Sequence, residues 1–392
     1  MDGNGRGLRY DISNRSNVPL IRLSTPLATY PILIGTGLVD ELSSRLRQIR
    51  SGRNPRIFVV TSPEIWTLWS DRFLASFPTE TLPTVLHVPS GERHKRLRTV
   101  EVLAEQMALA GADRDSLLLA FGGGVVGDVT GFLAAVYMRG IPFVQIPTTL
   151  LAQVDSSIGG KTGVNLRSGK NLIGSFHHPL AVLTDVDLLA TLPARELRSG
   201  LQESVKAGVI ADPRLFADLE RHLDKITAPE SLDREVLTRI VAASVHVKAD
   251  VVAADEREAG LRMTLNFGHT LGHAIEAATG YKHLLHGEAV GWGMIAAVQL
   301  ALARGSLRRA DAARIEQIIF RLGPLPRFRA SAEQLVALTG RDKKKRSGSL
   351  AFVLPKKIGE VEIVRDVSQA ELMEAAHSML ALMRQQTVGQ VG

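Results

Sequence analysis

The first half of the chain alternates short apolar runs with stretches of helical spacing. Between residues 20 and 187 such runs stop at Gly, Pro, Ser or Asp, and the clearest are residues 56–61, 116–121, 143–147 and 181–185. Unbroken apolar runs of this length are typical of parallel strands that are buried on both faces. Residues 97–110 carry helical spacing between the first two runs. The alternation predicts an α/β domain with a parallel sheet.

The spacing of apolar residues changes near residue 190. After Leu192 and Pro193, apolar side chains recur about every 3.6 residues in residues 194–208, 213–226, 231–252, 271–278, 287–304 and 310–322. Residues 349–364 are strand-like and predict a hairpin that turns around residues 356–359. We therefore expect an α/β domain over residues 19–190 and an all-α domain over residues 191–392, to which only this hairpin adds strands.

The amino-acid composition limits which metal ligands and catalytic groups the protein can use. The chain has 392 residues, of which 45% are hydrophobic and 22% are charged, so it is long enough to bury a sizeable core. It contains no cysteine, which excludes disulfide bonds, zinc ribbons, iron–sulfur clusters and a cysteine nucleophile. Any metal must therefore be bound by His, Asp or Glu.

Membrane and secretory segments are not expected. The longest uncharged apolar stretches, residues 140–154 and 289–303, have 15 residues each, whereas a membrane helix needs roughly 18 to 20. Residues 1–18 are polar and lack the apolar core of a secretory signal. We expect them to be a disordered extension of a cytoplasmic protein.

The charge balance favours anionic partners. Lys and Arg number 47 and Asp and Glu 40, which gives a net charge of +7. The basic residues are dispersed among glycine-rich segments, and the basic run 341–346 has no aromatic residues for base stacking. We therefore interpret this run as a solvated loop and expect no nucleic-acid partner.

A glycine-rich turn follows the second apolar run. Its residues fit the pattern GxGxxG and precede an apolar helix predicted at 129–138; they are Gly122, Gly123, Gly124, Val125, Val126, Gly127 and Asp128. Such a turn lets backbone N–H groups and a helix N-terminus approach a diphosphate. The acidic residue expected about 20 positions later is absent, so the arrangement differs from the standard Rossmann fingerprint. The alternative is a turn that serves only close packing.

Three further segments carry polar groups suited to a phosphorylated, hydroxylated ligand. Residues 90–95 (SGERHK) could bracket a ribose and a phosphate, or simply begin a solvated helix. Thr148 and Thr149 follow the third apolar run, at the strand end where open α/β sheets bind ligands. Residues 155–163 and 168–171 are interpreted as glycine-rich loops that present lysines; the first is not a Walker motif, because Asp155 stands where a glycine is required.

A set of histidines and a glutamate stands in the second half. His269 and His273 are four residues apart, on one face of a helix expected to begin near Asn266, and Glu203 and His286 lie in separate segments. The residue after His269 is threonine, so the zinc-protease motif HExxH is absent. One Glu with two His can hold a divalent metal and leave a position open for substrate. The alternative is a group of buried, hydrogen-bonded structural histidines.

These motifs, in their order and spacing, resemble 3-dehydroquinate synthase, a family of the sugar phosphate cyclases. The resemblance is carried by GGGVVGDVTGF, RGIPFVQIPTTLLAQVDSSIGGKTGVN, GKNLIGSF, QESVK, LRMTLNFGHTLGHAIE, LHGEAV and DKK, and it covers residues 20–382. It implies a lyase of the shikimate pathway that uses NAD and Zn²⁺ or Co²⁺ to convert 3-deoxy-D-arabino-heptulosonate 7-phosphate into 3-dehydroquinate and phosphate. The family forms cytoplasmic homodimers.

The resemblance also implies site residues. The metal ligands would be Glu203, His269 and His286. The NAD site would comprise Ser90, Gly91, Glu92, Arg93, His94, Lys95, Gly123, Gly124, Val125, Val126, Gly127, Asp128, Thr148, Thr149, Lys161, Lys170, Leu188, Leu189, Ala190 and Thr191. Substrate binding and catalysis would fall on Asp155, Lys161, Asn171, Lys206, Lys248, Arg262, Asn266, His273 and Lys343 or Lys344, with Arg139 reaching across the dimer. His273 is the candidate for relaying protons, because histidine titrates near neutral pH.

The chain departs from the family's sequence pattern at two positions, and two alternative functions remain. Ser62 stands where the family often has Asp or Asn, and Gln202 stands beside Glu203 where a small residue is common. A metal-dependent polyol dehydrogenase and a cyclase acting on another sugar phosphate are the alternatives. Neither requires a carboxylate-binding set, which Lys248, Arg262 and Lys343 or Lys344 would supply.

Overall fold

The computed structural model describes residues 19–50, 55–345 and 351–386, without the side chains of residues 231 and 341–345. The expectations for residues 1–18 and for the side chains of Lys343 and Lys344 lie outside the described residues. The chain divides into two compact units, Met1–Thr191 and Leu192–Gly392.

The first unit is built on a seven-stranded sheet, with a separate two-stranded hairpin. The strands are β1 (Leu20–Ser24), β2 (Thr29–Gly35), β3 (Ile57–Thr61), β4 (Thr84–His87), β5 (Leu117–Gly122), β6 (Phe143–Pro147), β7 (Lys161–Leu166), β8 (Gly169–Phe176) and β9 (Val182–Asp185). The sheet order is β1-β2-β9-β6-β5-β3-β4, and β7 pairs with β8 alone. Only β1 runs antiparallel to its neighbour in the large sheet. The carboxyl ends of the parallel strands therefore share one edge.

Helices cover both faces of this sheet. They are α1 (Leu42–Ile49), α2 (Pro63–Ala75), α3 (Leu97–Leu109) and α4 (Gly124–Val136). Phe58 belongs to the core formed with α3 and α4, whereas its neighbour Val59 belongs to the core formed with α1 and α2. Alternate residues of a strand point to opposite faces, so a strand covered on both sides must be apolar throughout. This explains the unbroken apolar runs and confirms the predicted α/β domain.

The second unit is largely helical. Its elements are α5 (Ala194–Ile210), α6 (Pro213–His222), α7 (Arg234–Ala254), α8 (His269–Ala278), α9 (His286–Ala303), α10 (Arg309–Arg321), α11 (Ala332–Lys345), β10 (Phe352–Lys357), β11 (Glu360–Val364) and α12 (Gln369–Gln385). β10 pairs with β11 through Lys357 and Glu360, so the predicted hairpin is present. The prediction of a helical second domain with one hairpin is therefore confirmed.

Three local predictions were wrong. The glycine motif does not precede its helix but forms the first turn of α4, which begins at Gly124. The two lysine segments are not only loops: Lys161 begins β7 and Lys170 lies in β8, and these two strands approach closely where Gly163 faces Gly174. Residues 341–345 continue α11 rather than forming a loop.

No helix within the described ranges is long and apolar enough to cross a bilayer.

Candidate active site

The start of α4 lies at the carboxyl edge of the first unit's sheet. β5 ends at Gly122, whose carbonyl accepts a hydrogen bond from the Thr148 N–H at 3.0 Å. A Cβ on Gly123 would lie 3.0 Å from the Thr149 methyl, and one on Gly124 would lie 3.0 Å from the Ser156 hydroxyl. The exposed N–H groups at this helix start can bind a phosphate group.

The same glycine motif also serves packing. A Cβ on Gly127 would lie 2.8 Å from the side-chain oxygen of Gln145. Val126 is buried in the core, and Val125 packs against it. These two valines can therefore offer a ligand only their backbone groups.

Lys95 joins three segments predicted to bind the cofactor. Its side chain is buried, its ammonium pairs with the Asp128 carboxylate, and it donates to the side-chain oxygen of Asn171 at 2.5 Å. A buried ammonium needs such partners, because burial of an unpaired charge is costly. The pairing ties residues 90–95 to α4 and to β8.

Asn165, which the sequence analysis missed, connects the same segments. Its side-chain N–H donates to the Glu92 carboxylate at 2.7 Å, and its side-chain oxygen accepts from the Asn171 N–H at 2.8 Å. Its own N–H donates to the Lys95 carbonyl at 2.8 Å. A buried asparagine inside a strand was the available signal, since asparagine is depleted in strands.

Ser62 and Ser90 lie close to the start of α2, which follows β3. Ser62 caps α2 by accepting from the Ile65 N–H at 3.4 Å. The Ser90 hydroxyl donates to Glu64 at 2.5 Å, and this hydrogen bond lowers the pKa of the Glu64 carboxyl from 4.5. Glu64 is therefore the ionised group presented beside Ser90.

The other residues of the loop and of the sheet edge are less closely grouped. The Arg93 guanidinium donates to a ring nitrogen of His94 at 2.9 Å. Leu188 and Leu189 are buried, so only their backbones can meet a ligand, and Thr191 accepts from the Trp69 indole at 3.1 Å. The side chains of Ala190 and Lys161 are exposed, and that of Lys170 is half-buried. Gly91 has a left-handed backbone conformation, and Asp155 lies in a short π-helical turn.

Arg139 lies at the far end of α4 from the glycine motif. The helix has 13 residues, which at 1.5 Å per residue is about 20 Å. Met138 and Arg139 both have left-handed backbone angles and are exposed. Arg139 is therefore directed to the surface rather than to the helix start in its own chain.

In the second unit, three separate helices bring together the predicted metal ligands. Oε1 of Glu203 on α5 lies 3.8 Å from Nε2 of His269 on α8 and 3.7 Å from Nε2 of His286 on α9. One ligand atom from each residue lies within 4.8 Å of the others. Two ligands of a tetrahedral zinc ion are about 3.4 Å apart, so the donor set fits a divalent cation.

The neutral state of His269 favours metal binding. Burial, together with the nearby Lys206, His286 and His273, lowers the pKa of His269 well below 6.5. The Nδ1 atom of His269 is 3.2 Å from the Phe267 carbonyl, which leaves Nε2 for a metal. The Glu203 carboxylate is buried and pairs with the Lys206 ammonium, while its Oε1 has no hydrogen bond among the described residues.

Glycines allow the three helices to approach closely enough. A Cβ on Gly287 would lie well under 3.0 Å from the Ser199 carbonyl oxygen of α5, and one on Gly293 would clash equally with the Gly268 carbonyl before α8. Gly268 has φ +80° and is the reason α8 begins at His269 rather than near Asn266. The ligands therefore converge because side chains are absent at these contacts.

Arg195 and Glu288 hold the start of α9, where His286 lies. The Arg195 guanidinium donates to both Glu288 oxygens at 2.6 and 2.8 Å. Glu288 also accepts from the Leu285 N–H at 2.7 Å, which caps the helix. Neither residue was predicted, and the acidic residue in the first turn was the available signal.

The predicted substrate residues of this unit lie in differing environments. The Arg262 guanidinium is buried and donates to the Glu256 carbonyl, and Asn266 donates to the Glu258 carboxylate at 3.0 Å. The His273 ring centroid is 5.4 Å from that of His269. Lys248 is buried on α7.

Asp255, also missed from sequence, organises the loop before Arg262. Its carboxylate accepts from the N–H groups of Ala259, Gly260 and Arg262 at 2.9, 2.7 and 2.9 Å. These hydrogen bonds lower the pKa of Asp255 from 3.8.

Gln202, the unusual neighbour of Glu203, has a structural role. Its side-chain N–H donates to the Ile319 carbonyl at 3.3 Å, which anchors α5 to α10.

Comparisons with known proteins agree over most of the chain. The family model described as 3-dehydroquinate synthase N-terminal matches residues 85–199, and the C-terminal model matches residues 200–345. The 3-dehydroquinate synthase of Solibacter usitatus is 47% identical over 370 residues, covering 93% of this chain and 100% of that protein. The enzyme of the same name from Koribacter versatilis is 45% identical, covering 92% and 97%.

Solved structures give the same fold. The 2-epi-5-epi-valiolone synthase of Streptomyces hygroscopicus, solved with NAD⁺ and Zn²⁺ bound, is 29% identical with a TM-score of 0.82, covering 91% of this chain and 98% of that one. A 2-deoxy-scyllo-inosose synthase with carbaglucose-6-phosphate, NAD⁺ and Co²⁺ is 24% identical with a TM-score of 0.78, covering 92% and 99%. Both family models match, and the two relatives are more than 40% identical over nearly their full length. This chain therefore belongs to the 3-dehydroquinate synthase family.

Proposed function

We propose that this protein is the 3-dehydroquinate synthase of a shikimate pathway. It converts 3-deoxy-D-arabino-heptulosonate 7-phosphate into 3-dehydroquinate and phosphate, using NAD and a divalent metal, Zn²⁺ or Co²⁺. The observation that carries this function is the close, nearly full-length similarity to synthases of that name, in a chain whose Glu203, His269 and His286 converge.

Glu203, His269 and His286 would hold the metal, and the segments tied together by Lys95 and Asn165 would hold NAD. When bound, the metal would supply Lewis acidity toward substrate oxygen atoms, and NAD would supply reversible hydride transfer. Because the hydride returns, the overall reaction consumes no NAD. A substrate ketone formed between the two hydride transfers would acidify the neighbouring C–H bond, so that loss of this proton and of phosphate would form a C=C bond.

Cationic side chains would bind and orient the charged ends of the substrate. Lys161, Lys206 and Lys248 can contact phosphate as compact charges, and Arg262 can make a bidentate contact with the carboxylate. His273 would carry protons during ring opening and the final aldol closure, because its imidazole can donate and accept near neutral pH. Asp155, Asn171 and Asn266 would hydrogen-bond the substrate hydroxyl groups.

Phosphate release tests the function. Purified protein with NAD and the heptulosonate phosphate should release phosphate in a reaction that chelator stops, without accumulation of NADH. The variant His269→Ala should lose both metal and phosphate release while its circular dichroism is retained. Accumulation of NADH would instead assign a dehydrogenase.

A second candidate is another sugar phosphate cyclase, favoured by the similarity to the valiolone synthase. Its substrate would carry no carboxylate, so the buried Arg262 would have no such group to bind. Turnover of sedoheptulose 7-phosphate or glucose 6-phosphate, with none of the heptulosonate phosphate, would establish this alternative.

The proposal extends to a cytoplasmic homodimer in which Arg139 serves the partner's site. Its surface direction at the far end of α4 supports this role. Arg139→Ala and His269→Ala, each inactive alone, should regain activity when mixed under conditions that exchange subunits. Absence of regained activity in demonstrated heterodimers would contradict it.

A further inference from the structure

Glu276 is a buried carboxylate to which the proposed reaction assigns no role. It lies on the buried face of α8, 5% exposed, in the same helix as His269 and His273. Its Oε1 atom is 3.5 Å from Nδ1 of His286, across the contact between α8 and α9. A carboxylate in such a place is stable only beside groups that compensate its charge.

The His286 imidazole lies between two carboxylates. Nδ1 faces Glu276 at 3.5 Å, and Nε2 faces Glu203 at 3.7 Å. A neutral imidazole carries a proton on one nitrogen and a lone pair on the other. The group that accepts the N–H therefore decides which nitrogen can bind a metal.

His269 has the same arrangement with a different acceptor. Its Nδ1 faces the Phe267 carbonyl at 3.2 Å, and its Nε2 faces Glu203 at 3.8 Å. Both histidines thus direct Nε2 to the same carboxylate and Nδ1 to an oxygen atom. Oxygen acceptors behind metal-binding histidines fix the ring orientation and raise the basicity of the ligand.

We propose that Glu276 is a positioning residue that holds His286 with Nδ1 protonated and Nε2 available to the divalent metal. This inference rests on the proposed function for the identity of the bound group. Glu276 acts through His286 and does not itself touch the metal.

A second cation site is the competing interpretation, since His273, Glu276 and His286 also place ligand atoms within 4.8 Å of one another. Occupation of both sites would require both nitrogens of His286 as ligands, and hence loss of its remaining N–H proton to give an imidazolate. A single metal with a carboxylate behind one ligand needs no such ionisation.

Metal affinity tests the positioning role. Zn²⁺ affinity and stoichiometry would be measured on the full-length protein by competition with a chromophoric chelator, and the site would be observed by the visible spectrum of bound Co²⁺. We expect Glu276→Gln to bind one metal per chain with about 10- to 100-fold lower affinity and an altered Co²⁺ spectrum. The matched control is Glu316→Gln. Glu316 is a half-buried glutamate on α10 that accepts a hydrogen bond from Gln299 on α9, and its substitution should leave both the metal affinity and the Co²⁺ spectrum unchanged.

Several results would overturn the inference. Affinity within twofold of the parent would show that Glu276 does not orient His286. Two metals per parent chain, falling to one in Glu276→Gln, would make Glu276 a ligand. Because the variant could fail to fold, the tautomer of His286 would also be read from ¹H–¹⁵N spectra of the metal-free parent, where a proton on Nε2 would contradict the proposal.

The phosphate-release assay separates this inference from the proposed function. A parent protein that binds one metal, depends on Glu276 for affinity and releases no phosphate would refute the synthase activity alone. Phosphate release with unchanged metal affinity in Glu276→Gln would refute the positioning role alone.

Discussion

At the scale of single residues, buried polar side chains determine how the binding segments are arranged. Lys95 and Asn165 tie three segments of the first unit together, and Asp255 does the same for the loop that carries Arg262. A buried group whose partner is removed retains its desolvation cost, typically about 1–3 kcal/mol. Such residues therefore influence a ligand that they need not touch.

Asn165→Ala should weaken NAD binding by roughly tenfold. The substitution leaves Glu92 and the Asn171 N–H without their side-chain partner, so the loop that would hold the cofactor loses its order. Calorimetric titration with NAD measures the effect. Asn266→Ala, which removes a hydrogen bond to Glu258 in the other unit, should leave NAD affinity unchanged; equal losses in both variants would contradict a local role for Asn165.

At the scale of elements, helix contacts determine whether the predicted metal ligands converge. α9 begins with His286 and approaches α5 and α8 through Gly287 and Gly293, where no Cβ can be accommodated. The distance between helices in such a contact depends on the absence of a Cβ at the glycines as much as on the side chains that are present. The other end of α9 is held by Arg304, which binds Glu371 in the first turn of α12.

Gly293→Ala should destabilise the second unit by at least about 1–3 kcal/mol and impair metal binding, because the new methyl group overlaps the Gly268 carbonyl. Urea denaturation and metal titration measure both effects. Gly340→Ala is the matched control, since it lies within α11 with no atom within 4 Å of the added carbon. There the helix propensity of alanine should instead add about 0.5–1 kcal/mol, and equal effects would contradict the packing argument.

Acid should weaken the connection between α9 and α12. Hydrogen bonds from Arg304 and Ser368 lower the pKa of Glu371 from 4.5 to about 2. Because the folded-state pKa is the lower one, its stabilisation is complete above pH 4.5 and is lost as the pH falls toward 2. Between pH 5 and pH 3, the melting temperature should therefore fall less in Glu371→Gln than in the parent; parallel curves would contradict this assignment.

At the scale of the whole molecule, the two units carry different chemistry. The first has a sheet edge with the start of α4 and the residues around Lys95, and the second has the converging Glu and His side chains. A ligand that binds only the folded state stabilises it by mass action. Each unit should therefore respond to its own ligand.

Zinc should raise the thermal stability of the helical unit. A metal concentration 100 times Kd adds about 2.7 kcal/mol, which in a unit of this size is a rise of about 5–10 °C in Tm. Scanning calorimetry with zinc, and again after chelator, measures the change. Glu203→Gln should abolish the response to zinc but retain stabilisation by NAD, and an undiminished zinc response would remove Glu203 from the metal site.

The sequence by itself determined four of the inner strands of the first unit's sheet, β3, β5, β6 and β9, and the helices α5 to α10 of the second unit, because the periodicity of apolar residues reflects which faces of an element are buried. It also identified Glu203, His269, His273 and His286 as candidates, because few residue types can bind a metal in a chain without cysteine, and the family resemblance singled out Glu203, His269 and His286 among them. Only the tertiary structure placed Asn165, Glu276 and Glu288 beside the candidate cofactor and metal residues and Lys161 and Lys170 on a hairpin. Their partners are distant along the chain or on other helices, and no local pattern encodes such contacts, which form only when strand register and helix packing are set.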